Sequence, residues 1–222
     1  TTADAEIANK TDVVLTSVAG NEKAIGYISL GALNDTVKAV KVDGAEATVD
    51  NVKAGAYKLS RPFNIATKGE PTGVAKDFIS FILSKEGQAV VTDNKYIAVN
   101  DAAESFVSDG SSGQIAVGGS SSVSPVMEKL IEAYKSVNPN ASIDLQTSDS
   151  TSGMTGAMDG TFAIGMASRE LKDEEAAQLT GTAIALDGIA VIVNPANTID
   201  ELSMDQIKSI YIGDITDWGD LA

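Results

Sequence analysis

The unit at residues 115–137 constrains the fold more than any other stretch. Ile115-Ala116-Val117 is a short apolar run, Gly118-Gly119 a flexible turn, and Ser120-Ser121-Ser122 a cluster of hydroxyls. Ser124 and Pro125 follow as helix-start signals, one as a candidate N-cap and one in the first helical position. Val126, Leu130, Ile131, Tyr134 and Val137 then recur at helical spacing and predict a helix with a core-facing side. Strand-like and helix-like pieces alternate through most of the 222 residues, which argues for an α/β protein.

The first-turn N–H groups of such a helix have no intrahelical partner and face the serine cluster, a combination suited to an anion. The serines could simply cap the helix. One suffices for a cap, however, and four fall within the five positions 120–124, which favours a ligand cradle. A second hydroxyl run, Thr147-Ser148-Asp149-Ser150-Thr151-Ser152-Gly153, follows a predicted strand at 142–145 and leads into a short helix ending near Gly160. Either run alone is ordinary loop chemistry. Together, two helix entrances could hold one oxyanion from different sides.

Composition removes several alternatives. Cysteine and histidine are both absent, so disulfides, zinc-finger sites, thiol nucleophiles and histidine-based acid/base catalysis are impossible within the chain. A serine nucleophile would need a lysine partner, and no lysine lies near either serine loop in sequence. The net charge of -15 with no basic block makes nucleic acid and anionic membranes poor partners. A small anion can still bind where oriented backbone dipoles and a local cation dominate. No apolar run approaches the ~20 residues of a membrane span. The sequence starts Thr1-Thr2-Ala3-Asp4, with no secretory signal; any export signal is expected to have been removed or never to have existed.

Along the chain, the pattern predicts helices at 3–18 with a break at 9–12, at 48–55, 73–88, 173–179 and 203–212. Strands are predicted at 24–30, 37–42, 57–67, 96–99, 162–171 and 182–193, with Pro62 forcing an edge or a crossover. Residues 108–113, Ser-Asp-Gly-Ser-Ser-Gly, have the makeup of a flexible connector.

Several of these segments carry a family resemblance. Gly-Gly-Ser-Ser-Ser-Val-Ser-Pro-Val, Ile-Gly-Met-Ala-Ser-Arg-Glu-Leu, Asp-Gly-Ile-Ala-Val-Ile-Val-Asn-Pro and Ile-Tyr-Ile-Gly-Asp-Ile-Thr-Asp-Trp lie within residues 113–222. They resemble the first half of a bacterial periplasmic-type phosphate-binding protein, the substrate-binding subunit of a phosphate ABC transporter. Val-Ala-Gly-Asn-Glu-Lys-Ala-Ile-Gly-Tyr-Ile-Ser-Leu, Arg-Pro-Phe-Asn-Ile-Ala-Thr and Phe-Ile-Leu-Ser-Lys-Glu-Gly-Gln, within residues 1–107, resemble the second half. The order is inverted. A circular permutation joined near residues 108–113 is the simplest account, more often engineered than natural; a tandem array clipped to half of each repeat is the alternative. The family's Gly-Ser-Gly-Thr-Arg loop, which supplies ligands from the second lobe, has no counterpart in the sequence.

The resemblance implies a periplasmic-binding-protein-like (type II) α/β fold, circularly permuted, with two lobes joined by crossing strands near 57–67 and 187–195. Lobe one would be residues 61–194 and lobe two, incomplete, residues 1–60 with 195–222. It implies non-catalytic binding of inorganic phosphate, no cofactor or metal, an ABC transporter permease as partner, an extracellular or cell-envelope location and a monomer. Carried over by position, Ser121 and Ser122 match ligands at the first helix, and Thr151 with Ser152 beside it those at the second. Arg169 stands where some members have an aspartate that accepts a proton from hydrogen phosphate. An arginine cannot accept it but can fork onto phosphate oxygens, which leaves selectivity over sulfate open. A surface salt bridge from Arg169 to Glu170 or Asp173 is the plainer alternative. The loss of the second-lobe loop implies weakened binding, and a permuted scaffold or sensor component without useful phosphate binding is the competing reading.

Overall fold

The computed structural model describes residues 1–221. The elements in chain order begin with α1 (Thr11–Ala19), β1 (Ile25–Ser29), β2 (Lys38–Ala39), β3 (Lys41–Val42), α2 (Val49–Lys53) and β4 (Ser60–Thr67). They continue with α3 (Gly73–Leu83), α4 (Lys85–Asp93), β5 (Gly113–Ser120), α5 (Ser124–Val137), β6 (Ala141–Ser148) and α6 (Ser150–Asp159). The last are β7 (Ile164–Ala167), α7 (Asp173–Ala176), β8 (Thr180–Val193), β9 (Glu201–Leu202) and α8 (Met204–Ile212). Among the described residues, no helix is long and apolar enough to cross a membrane.

Two compact units result, one split in sequence (1–60 and 188 onward) and one continuous (61–187). The chain passes between them inside β4 and inside β8. In the split unit, β1 and β2 both pair antiparallel with the end of β8, with Ile25 and Lys38 each opposite Val193. Val18, Ile28, Leu30, Val37, Ala190 and Ile192 form its core. Helix α8 starts from a capping box in which Ser203 and Gln206 exchange hydrogen bonds, and ends at Gly213 in the left-handed region.

The continuous unit is a sheet in the order β8-β4-β7-β5-β6. Side chains alternate across it. Phe63, Ile65, Val117, Ile164 and Met166 join α3, α4 and α5 in one core, while Ala66 and Ala167 pack against Met154 and Ala157 of α6 in another. Pro62 sits between two neighbouring strands, at the crossing rather than on an edge. Beside it the Arg61 Nε donates to the buried Asp187 carboxylate at 3.1 Å.

Several local expectations are corrected. Residues 3–9 are turns and irregular backbone, not helix, and Ile7, which a helix there would have to bury, is 88% exposed. The helix expected at 73–88 is two helices, interrupted at Ser84, whose hydroxyl accepts from Gly87 N–H and starts α4. Residues 96–99 make only a bridge, Ile97 to Leu186. The connector at 108–113 is clamped at its start: Asp77, buried on α3, accepts from Ser108 Oγ at 2.7 Å and from Asp109 N–H at 2.9 Å. The same carboxylate takes Tyr134 Oη at 2.7 Å and Asn138 Nδ2 at 3.2 Å from the region of α5. Burial pushes the Asp77 carboxyl up, but these four donors outweigh it and hold it below the usual carboxylate range.

Candidate functional site: two helix entrances at one sheet end

Strand β5 lies between β6 and β7 and is parallel to both. Ser120 is opposite Ser148, and Gly119 is opposite Met166, so the C-terminal ends of all three strands share one edge. The chain leaves β5 through α5 toward β6, then returns through α6 past β5 to β7. Opposite directions of travel place α5 and α6 on opposite faces, as the two cores require. Such a reversal of strand order opens a crevice at the carboxyl ends of the strands, where ligands of open α/β sheets bind. The loops at 120–123 and 149–152 stand there.

Glycines allow the close approach. Gly119 has φ of +136° and faces Gly153, in the first turn of α6. A Cβ on Gly153 would lie 2.7 Å from the Gly119 Cα, 2.7 Å from the Met166 carbonyl oxygen and 2.9 Å from that of Gly118. Helix α6 therefore rests directly on the β5 and β7 backbones. Two hydrogen bonds tie the loops further, from Ser121 N–H to the Ser148 carbonyl at 2.9 Å and from Ser168 N–H to Ser150 Oγ at 3.1 Å.

The serines divide into two kinds. Ser124 is not the N-cap: Val123 holds that position, no side chain caps α5, and Pro125 is in its first turn. Ser124 is buried, donating to the Ser120 carbonyl at 3.2 Å and accepting from Thr147 Oγ1 at 2.9 Å. Ser120 is buried too and its hydroxyl accepts from Ser122 N–H at 3.3 Å. These two hold the turn. Ser121 and Ser122 are only half-buried, and among the described residues the Ser122 hydroxyl makes no hydrogen bond.

At the second entrance Asp149 caps α6. Its carboxylate takes the Ser152 N–H at 3.0 Å and the Ser152 hydroxyl at 2.7 Å, which hold it below the usual carboxylate range. Ser152 thus serves the cap, while Thr151 is exposed. Arg169, just beyond β7, brings Nη2 to 3.5 Å from Thr151 Oγ1. Its salt bridge goes to neither Glu170 nor Asp173. The guanidinium forks onto Glu175, with Nη1 at 2.7 Å and Nη2 at 2.8 Å, and Nη1 also donates to the Glu170 carbonyl. Asp149 and Glu175 were not singled out by sequence. Asp149 could have been, since an Asp three residues before a Ser at a helix start is an N-cap pattern; Glu175 is reached only through the turn into α7.

The arrangement offers hydroxyls and a guanidinium edge to an acceptor-rich ligand. Among the described residues, no three acidic side chains gather as for a metal ion.

A PBP superfamily domain model matches residues 1–86 and 105–222. The phosphate-binding protein PstS 2 of Streptococcus agalactiae serotype V is 51% identical over 220 residues, covering 98% of this chain and 75% of the relative. The PstS 2 of Streptococcus pneumoniae TIGR4 is 48% identical over 218 residues, with the same coverage. The crystal structure of a phosphate ABC transporter phosphate-binding protein from Streptococcus pneumoniae TIGR4 superposes with a TM-score of 0.77 at 47% identity, covering 100% of this chain and 86% of that one. These matches take in nearly the whole chain, and none of them shows a circular permutation. The chain belongs to the PBP superfamily and, within it, to the PstS family of phosphate-binding proteins, which are binding proteins and not enzymes.

Proposed function

We propose that the chain binds inorganic phosphate without chemical change, as the substrate-binding component of a phosphate ABC transporter, and hands it to the permease on the outer side of the cell envelope. The observation that carries this reading is the meeting of the two hydroxyl-rich entrances at the ends of β5 and β6, in a chain half-identical to streptococcal PstS 2. Ser121, Ser122 and Thr151 supply hydroxyl donors and Arg169 a charged one, while Ser152 is held back by Asp149. Hydrogen bonds to a charged ligand contribute about 1.5–3 kcal/mol each.

The Asp149 carboxylate, which stands at the α6 entrance, opposes an anion there and weakens binding. Isothermal titration with phosphate and then sulfate tests the reading. Saturable single-site heat with phosphate is expected; no heat with either anion would overturn it and leave a fold without its ligand.

A further inference from the structure

Glu175 belongs to neither hydroxyl loop, yet it is 2% exposed and spends its carboxylate on the functional edge. It accepts Arg169 Nη1 at 2.7 Å, Arg169 Nη2 at 2.8 Å and the Lys172 N–H at 2.8 Å. The Arg169 backbone is held as well, because the Nδ2 of buried Asn64 donates to its carbonyl at 2.9 Å. A long side chain gripped at both ends has one orientation. In it, the Nη2 edge is turned to Thr151 Oγ1, at a separation of 3.5 Å that is marginal for a hydrogen bond and so leaves that donor available to a better acceptor.

We propose that Glu175 is the positioning residue for Arg169: it fixes the guanidinium edge beside Thr151 so that an oxyanion meets an already oriented donor. This rests on the phosphate-binding reading above. Two effects of Glu175 on an anion have opposite signs, which makes the role testable. As a negative charge near the site it opposes the anion, so removing the charge strengthens binding. As a clamp it orients the fork, so removing it weakens binding. The bidentate geometry and the anchored backbone favour the clamp, since an arginine that must first be ordered binds less tightly than one already in place.

The experiment measures phosphate affinity by isothermal titration for the unmodified chain, Glu175→Gln, Glu175→Asp and Arg169→Ala, with and without Glu175→Gln. Circular dichroism checks that each is folded. Glu175→Gln removes the charge; Glu175→Asp keeps it but is one methylene too short to fork. Both are expected to weaken binding by about 10-fold, the loss of one charge-assisted hydrogen bond. Glu175→Gln should add nothing in the Arg169→Ala background. Relaxation of the Arg169 Nε signal supplies a reading independent of phosphate, ordered in the unmodified chain and mobile in both Glu175 variants. Affinity unchanged or tighter in Glu175→Gln, or an equally ordered Arg169 Nε, overturns the positioning role. Absence of phosphate binding in the unmodified chain with an ordered Nε instead overturns the functional reading and leaves Glu175 an anchor of Arg169 alone.

Discussion

Gly153→Ala should damage the site without touching any candidate ligand. The new Cβ would sit 2.7 Å from the Gly119 Cα and the Met166 carbonyl oxygen, and 2.9 Å from the Gly118 carbonyl oxygen, where ordinary contact begins at 3.4 Å. All three neighbours are backbone atoms of central strands, which cannot rotate away. The start of α6 must therefore recede by roughly 0.7 Å, the shortfall in van der Waals separation. Overpacking of this kind costs about 1–3 kcal/mol. Alanine returns up to about 1 kcal/mol through helix propensity. The net loss of stability is then up to about 3 kcal/mol, read as a lower urea midpoint with unchanged slope. The recoil also carries Thr151 away from Ser121 and Ser122, and losing one charge-assisted hydrogen bond weakens phosphate binding by about 10- to 100-fold. Gly160→Ala is the control: with φ of +84° and no atom within 4 Å of its Cβ, it costs stability through backbone strain and leaves affinity alone. A Gly153→Ala protein as stable as the original and binding phosphate equally well would refute the close-approach argument.

Three further outcomes follow from the same geometry. Ser124→Ala should destabilise by about 1 kcal/mol by removing the buried hydroxyl's bonds to the Ser120 carbonyl and Thr147, whereas Ser122→Ala should leave the melting temperature unchanged and lower only phosphate affinity. Asp77, with its carboxyl depressed in the folded state, contributes stability that is present above the ordinary carboxylate range and lost as pH falls through its folded value; Asp77→Asn should flatten that acid limb and speed protease cleavage within 105–112. Tyr211 Oη is buried with no hydrogen-bond partner among the described residues, and burial pushes its ionisation up, so Tyr211→Phe should raise stability by about 1 kcal/mol in thermal unfolding.

Features written in adjacent residues were legible in the sequence. Gly-Gly-Ser-Ser-Ser before Ser-Pro marks the end of a strand and the entry to a helix, and Ser203 with Asp205 in the first turn marks the start of α8. What escaped depends on distant partners. Ser124 resembles a cap by local rules, but Thr147 and the Ser120 carbonyl draw it inward. The polar run at 108–113 resembles a linker until Asp77, 31 residues before Ser108, takes hold of it. The partner of Arg169 could not be chosen among several nearby carboxylates without the turn that buries Glu175.

The most direct test of one anion held by two helix entrances is a phosphate titration followed by backbone amide NMR. The amides of 120–123 and 150–153 should shift together, along one isotherm with a single Kd, and Arg169 Nε with them. Shifts confined to one entrance, two different isotherms, or shifts centred elsewhere such as the start of α8 would contradict the account.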